Sequence, residues 1–479
     1  MKTEKNEPFR LALSYDDVLL VPHYSDIPSR KQIDLTTMFS KRIQLNIPVV
    51  SANMDTVTGS EMAIHMARQG GMGIIHRFQS AEEEADEVRR VKRSENIFIP
   101  DPITLNKEAT LREALALMER NHVTGVIVIS PDRIIEGILT ARDVRFKTDF
   151  NISIKSLMTP KEKVILAKQN ITSEEALKIL DKHKIEKLPL IDAKGKLCGL
   201  ITATDYKKTK ENPRASKDKS GRLLVGAAIG VRDGMERAEL LVKAGVDALI
   251  IDIAHGHHST CIDLVKKLKK KFPSVDIIAG NVATAEGTLA LIKAGADAVK
   301  VGIGPGAACS TRIVAGAGVP QLTAVMESVA VAQKFKVPII ADGGIKNSGD
   351  LAKAIATGAG TAMIGNLFSG CKESPGEYYI EGGEAFKIYR GLASRDASAD
   401  MAIRGGGDVE KQNRAPEGIG YRVTFKGEVR KILAGLTDGL QSGMSYTGAK
   451  NLKEFYQKAE FVRITDAGMR ESKPRSHQV

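Results

Sequence analysis

The sequence predicts an α/β protein, a (β/α)8 barrel interrupted by an inserted module. Three observations predict it. Short apolar runs ending in small or glycine-rich loops recur eight times, at 47–55, 71–76, 223–230, 248–256, 276–281, 298–306, 338–344 and 361–366. Helical stretches lie between them, such as EGTLALIKAGA (286–296) and GDLAKAIATGA (349–359), whose terminal glycines are helix stops. Between the second and third runs the pattern gives way to residues that repeat one another. Continuous apolar runs are what strands buried on both faces of a parallel sheet require, and eight βα units point to a closed barrel. An open dinucleotide-binding sheet would carry GxGxxG at its first helix with an acid about 20 residues on, and this sequence does not.

The expected division is a first barrel segment at 1–95, an insert at 96–213 and a second barrel segment at 214–479. Within the insert, DPITLNKEATLREALALMERNHVTGVIVI leads to EGILTARD (136–143), and EKVILAKQNITSEEALKILDKHKIEKLPLI leads to CGLITATD (198–205). The paired units resemble tandem CBS domains. That resemblance implies a regulatory module binding adenine or guanine nucleotides through Thr140, Asp143, Thr202 and Asp205. The same four residues read equally well as caps of the last helix in each half.

Composition narrows the function classes. A length of 479 residues suits two domains or one large barrel with an insertion. Hydrophobic residues make up 42% and charged residues 27%, and no apolar run reaches the roughly 18 residues of a membrane span, so no membrane partner is expected. The start MKTEKNEPFRLALSYDD has no apolar core before a small-residue cleavage site, so a cytoplasmic location is expected. Four cysteines without a CxxC pair argue against a disulfide framework and a zinc site. The net charge is +12, but the lysines are spread along helices and aromatics make up only 5%, so a nucleic-acid partner is not expected.

Barrel active sites form where the strands end, so the loops after the apolar runs should carry the chemistry. The sixth run enters GIGPGAACSTR (302–312), which sets Cys309 among small residues. Glycines allow a ligand close to the backbone, and loop amides can lower a thiol's pKa. Cys309 is therefore the candidate nucleophile. Taken alone, a cysteine in such a loop reads as readily as a small buried hydrophobe.

The motifs LSYDDVLLVP (13–22), MDTVT (54–58), GRLLVGAAIGV (221–231), AHGH (254–257), GNVATAEG (280–287), VGIGPG, ADGGIKNSGD (341–350), YRG (389–391) and AGMRES (467–472) follow one another in order. Over nearly the whole chain this resembles the IMP dehydrogenase and GMP reductase family. The resemblance implies addition of Cys309 to purine C2 and passage of a hydride to or from a nicotinamide cofactor; a soft thiolate suits that electrophilic carbon. It implies Asp342 as a bidentate acceptor for the ribose hydroxyls. Gly343, Gly344, Gly365, Asn366 and Tyr389 match the phosphate cradle, Met54 lies beside the base, and Gly391, Leu392 and Glu417 match the purine edge. Asp252, Asn281, Gly302 and Gly304 match the nicotinamide side. Potassium held by the carbonyls of Gly304, Gly306 and Cys309, with Glu471 and Ser472 reaching from a neighbouring subunit, is implied as well, and with it a homotetramer or octamer.

The family divides by the fate of the adduct. Dehydrogenases, which take IMP, NAD and water to XMP and NADH, use a flap Arg followed by Tyr to activate water. Here the flap, 393–423, has Arg404 followed by Gly405 and contains no Arg-Tyr pair. Asn53 before Met54 leans the same way; Thr311 with Glu373 matches the pair that in reductases protonates departing ammonia, but both enzyme types possess it, so it does not discriminate. The expected activity is GMP reductase, taking GMP and NADPH to IMP, ammonia and NADP. IMP dehydrogenase is the alternative, since the inserted module, AHGH and AGMRES are commoner among dehydrogenases. A non-catalytic nucleotide sensor is the third reading, which the set Cys309, Thr311, Asp342 and Glu373 disfavours.

Overall fold

The computed structural model describes residues 9–94, 99, 101–121, 123–203, 211–395, 397 and 415–472. Among them no helix is long and apolar enough to cross a membrane. Eight strands close a barrel: β1 (Val49–Ser51), β2 (Met72–Ile75), β3 (Val225–Ile229), β4 (Ala248–Asp252), β5 (Asp276–Val282), β6 (Ala298–Val301), β7 (Ile339–Asp342) and β8 (Thr361–Ile364). Neighbours run parallel, with β8 returning to β1 and β2 passing to β3. This is a (β/α)8 barrel, and each of the eight predicted runs contributes one strand.

Strand alternation sorts the apolar residues into two layers. Val50, Met72, Ile74, Ala248, Ile250, Ile278, Ala298, Ile340 and Met363 form one buried cluster inside the barrel. Phe39, Ile43 and Leu45, from the hairpin before β1, join that cluster and fill the end where the strands begin. The alternate residues Val49, Leu249, Ile277, Val299, Ile339 and Ala362 belong to a second cluster with the surrounding helices. Those helices stop where the glycines predicted: the helix Ala285–Ala294 ends on Gly295 at φ 107°, a left-handed conformation that favours glycine.

The chain divides into two units, one of Met1–Lys92, Arg214–Asp218 and Leu223–Val479, the other of Arg93–Pro213 with Lys219–Arg222. In the second unit the internal repeat extends to structural detail. Thr110 caps the helix Leu111–Arg120 through a reciprocal bond with Glu113, as Thr172 does for Ser173–His183 with Glu175. The antiparallel pair Gly125–Ile129 and Ile135–Thr140 shifts register between Val128 and Ile129, and its counterpart Lys187–Ile191 and Leu197–Thr202 shifts between Leu190 and Ile191. Ile127, Ile135, Ile138, Leu197 and Leu200 form a shared core between the two halves.

In the barrel unit, Lys92 holds the chain where it leaves and returns. Its side chain is 4% exposed, and its ammonium donates to Asp247 at 2.6 Å, to the Leu223 carbonyl at 2.9 Å and to Asp218 at 3.1 Å. All three N–H groups are satisfied. Burial pushes the Asp247 carboxyl upward while Lys92 pulls it back. Lys92→Met leaves Asp247 buried without its counter-charge, a loss of about 3 kcal/mol or more. A thermal melt should show the barrel transition several degrees lower; an unchanged midpoint would refute the assignment.

Candidate active site

Inward positions one step beyond the apolar layer carry charge. Alternation puts Asp252 after Ile250, Lys300 after Ala298 and Asp342 after Ile340, all facing the barrel mouth. Lys300 donates to Asp342 Oδ2 at 2.7 Å and to Asn281 Oδ1. Asn281 Nδ2 donates to the same Asp342 oxygen at 2.9 Å and to the Gly302 carbonyl at 2.7 Å. Gly302 sits at φ 152°, and a Cβ there would lie 2.0 Å from the Asp342 carbonyl oxygen, so no larger residue fits. Asp252 accepts from Arg77 Nε at 3.0 Å. Burial opposes its ionisation, but Arg77, Lys300 and the neighbouring Asn53 amide together hold its carboxyl below the usual range.

The cysteine loop follows β6. Cys309 is exposed, and its backbone N–H donates to the Gly306 carbonyl at 3.0 Å. Its thiol donates to Thr311 Oγ1 at 3.2 Å, and the Thr311 hydroxyl donates to Glu417 Oε2 at 2.7 Å. The segment carrying Glu417 is bound to the loop along its backbone: Ser310 N to the Glu417 carbonyl at 2.9 Å, and Ile419 N to the Ala308 carbonyl at 3.0 Å. Gly391 N donates to the Ile419 carbonyl at 3.0 Å, with Leu392 half-buried beyond it.

A third group lies after β8. Asn366 Nδ2 donates to the Tyr421 hydroxyl at 2.8 Å, and the rings of Tyr421 and Tyr389 meet edge to face at 5.4 Å. The Tyr389 hydroxyl donates to Met54 Sδ at 3.6 Å. A Cβ on Gly365 would lie 3.1 Å from that sulfur and 3.2 Å from that hydroxyl, so a larger residue would press on both side chains. Burial, then Tyr421, Asp342 and Cys309, push the Tyr389 phenol upward, so it remains a proton donor. Gly343 lies against Pro305 of the cysteine loop and Gly344 against Tyr15.

The structure therefore joins Cys309, Thr311, Glu417 and Gly391 in one constellation, Met54, Gly365, Asn366 and Tyr389 in another, and Asp252, Asn281, Gly302 and Asp342 in a third. Glu373 does not join them. Its carboxylate accepts from Val429 N at 3.0 Å and faces His65 Nδ1 at 3.6 Å, so it caps the helix Val429–Tyr446. The acid paired with Thr311 is Glu417, which corrects the expected Thr311–Glu373 pair. Asp342 also departs from a freely bidentate acceptor, because Oδ2 is taken by Lys300 and Asn281.

Among the described residues no group of three or more His, Cys, Asp or Glu could hold a metal, so a cation here would rely on carbonyls. Gly304 lies against the Arg312 side chain. Glu471 and Ser472 end the chain's last described helix, Asp466–Glu471, and are exposed. Thr140 and Asp143 bond each other at 2.7 Å in a capping box of the helix Ala141–Val144. Thr202 ends its strand, and Asp205 and Arg404 lie outside the described residues. Sequence reasoning missed Lys300, Arg77 and Tyr421. Lys300 had a signal: a lysine at an inward position of an otherwise apolar strand, AVKV.

A model of the IMP dehydrogenase / GMP reductase domain matches residues 12–475. The chain belongs to this family. It is 50% identical over 473 residues to the inosine-5'-monophosphate dehydrogenase of Aquifex aeolicus, covering 98% of this chain and 96% of that one. It is 47% identical to the same enzyme of Nitrosopumilus maritimus, covering 97% and 98%. Among solved structures it is similar to GMP reductase from Trypanosoma brucei in complex with guanosine 5'-monophosphate, with a TM-score of 0.92, 43% identity and coverage of 98% and 99%. Family members are purine nucleotide oxidoreductases that work with nicotinamide cofactors, and so is this chain.

The two acids separate cleanly by experiment. Glu417→Gln should lower kcat by about 10²-fold or more, as loss of a positioned proton carrier does. Glu373→Gln should leave kcat nearly unchanged and lower the melting temperature. Equal loss of kcat in both would contradict the assignment.

Proposed function

We propose that the chain is a GMP reductase, converting GMP and NADPH to IMP, ammonia and NADP. The observation carrying this reading is a proton line from Cys309 through Thr311 to Glu417 in a chain with no tyrosine between Tyr389 and Tyr421. The line can carry a proton to a departing amine. A dehydrogenase needs the Arg-Tyr pair of its flap to make hydroxide, and Arg404 is followed by Gly405.

In the proposed sequence the Cys309 thiol passes its proton through Thr311 to Glu417 as Sγ bonds to C2 of GMP. A proton passes from Glu417 through Thr311 to the 2-amino group, the C2–N bond breaks, ammonia leaves, and a thioimidate remains on Cys309. The nicotinamide cofactor, when bound, supplies the hydride that C2 takes up. Cleavage of the C–S bond then returns the thiolate and releases IMP. Asp342 accepts from the ribose hydroxyls, and Tyr389, Asn366 and the glycines at 343, 344 and 365 receive the phosphate. The cofactor side of the mouth is polar enough for a ribose and carboxamide: Asp252 is held ionised, Asn281 is fixed, and Asn53 Nδ2 is buried without a hydrogen bond of normal geometry.

The proposal extends to the rest of the chain. The second unit acts as a CBS pair for adenine or guanine nucleotides, supported by its matched halves; the enzyme works as a homotetramer, and potassium sits on the carbonyls of Gly304, Gly306 and Cys309. IMP dehydrogenase is the second reading, favoured by the names of the Aquifex aeolicus and Nitrosopumilus maritimus relatives.

Absorbance of the reduced nicotinamide decides between the readings. NADPH should be consumed with GMP, and IMP with NAD should give no NADH at a catalytic rate; the reverse pattern would overturn the proposal. Cys309→Ala should abolish turnover and leave GMP affinity within a few-fold, measured by calorimetry, because the thiol supplies the covalent step. Retained turnover in that variant would refute the adduct.

A further inference from the structure

Lys300 is used by no step above, and its surroundings are too specific for a spacer. The residue is 3% exposed. Its strand neighbours Val299 and Val301 pack outward with the helices, while Ala298 lies inside the barrel with Lys300 one step above it. The adjacent strand makes room for it at Gly280, where a Cβ would lie 2.7 Å from Lys300 Cβ and 2.5 Å from its carbonyl oxygen. The ammonium reaches two acceptors, Asp342 Oδ2 at 2.7 Å and Asn281 Oδ1, on the strands to either side.

We infer that Lys300 is a positioning residue: it presets Asp342 for the nucleotide's ribose and, through Asn281, ties that acceptor to the cofactor side of the mouth. This rests on the reading of Asp342 as the ribose acceptor. Asp342 Oδ2 takes two donors, Lys300 and Asn281 at 2.7 and 2.9 Å, which fixes the carboxylate's rotation and fills that oxygen's lone pairs. Oδ1 receives no donor from the described residues, and the side chain, 21% exposed, opens to the mouth. The free oxygen is thus held still and left open to accept. Hydrogen bonds from ligand hydroxyls to an ionised acceptor are worth more than neutral ones, provided the acceptor does not have to reorganise. Asn281 cannot turn without breaking bonds to Lys300, Asp342 and the Gly302 carbonyl, so the two sides of the mouth share one fixed base.

Calorimetric titration with GMP, 2'-deoxy-GMP and 3'-deoxy-GMP, with no cofactor present, tests this in the wild type, Lys300→Met and Lys300→Arg. The wild type should lose about tenfold or more in affinity on removal of a hydroxyl that Asp342 accepts. In Lys300→Met that penalty should fall below about threefold, with GMP weakened and the deoxy nucleotide nearly unaffected, while Lys300→Arg keeps most of it. A merely structural lysine would weaken all three nucleotides alike. An undiminished penalty in Lys300→Met overturns the inference. No penalty in the wild type would instead remove the ribose role of Asp342 itself. Should Lys300→Met fail to fold, Asn281→Ala removes the second donor from the same oxygen and must also shrink the penalty; an undiminished penalty there overturns the inference as well.

Discussion

A buried ammonium between two acceptors organises the mouth of this barrel. Lys300 is almost wholly shielded from solvent, where an uncompensated charge would cost several kcal/mol. Its charge is met by Asp342 and Asn281, and it also helps keep Asp252 ionised. These partners stand on β4, β5 and β7, so the charge fixes the upper ends of strands on both sides of β6. The apolar layer beneath makes that possible. Val50, Ile74, Ile250, Ile278 and Ile340 form a buried apolar layer inside the barrel, with the charged groups one step above it where the strands end.

The proposed nucleophile, Cys309, depends on a second constraint, the backbone pairing between its loop and the segment that carries Glu417. Hydrogen bonds from Ser310 and to Ala308 place Glu417 at Thr311, and Thr311 at the Cys309 thiol. Residues more than a hundred positions apart in the chain thereby form one proton line. Because Glu417 is tied to the loop along its backbone, any displacement of that paired segment takes the acid away from Thr311. Tyr421, four residues on, accepts from Asn366, so the same segment reaches both the cysteine loop and the group that follows β8.

The architecture was legible because parallel barrels write themselves as buried runs. Each of the eight runs holds a strand, and helix ends fall at glycines such as Gly295. The gathering of Cys309, Asp342, Asn281 and Asp252 where strands end was also legible, since that is where loops follow buried runs in this fold. The Thr311 partner was not. Glu373 is nearer in sequence to the eighth strand and looked equally acidic, but only the chain path shows that it caps a helix while Glu417 crosses to the loop. Lys300 was hidden for a different reason: a lysine within an apolar run is discounted as a solvated residue unless strand alternation is applied to it. The ambiguity at Thr140 and Asp143 was real, because a threonine and an aspartate three apart satisfy a helix start whether or not a ligand is bound.

The proposed chemistry turns on the fate of a purine bonded to Cys309. The most direct answer comes from the mass of the nucleotide formed from each substrate pair in 18O-labelled water, with NADPH deuterated at both C4 positions for the GMP reaction. A reductase gives IMP from GMP, carrying one deuterium at C2 and no 18O. XMP from IMP and NAD, bearing 18O at C2 and formed at a catalytic rate, would contradict it.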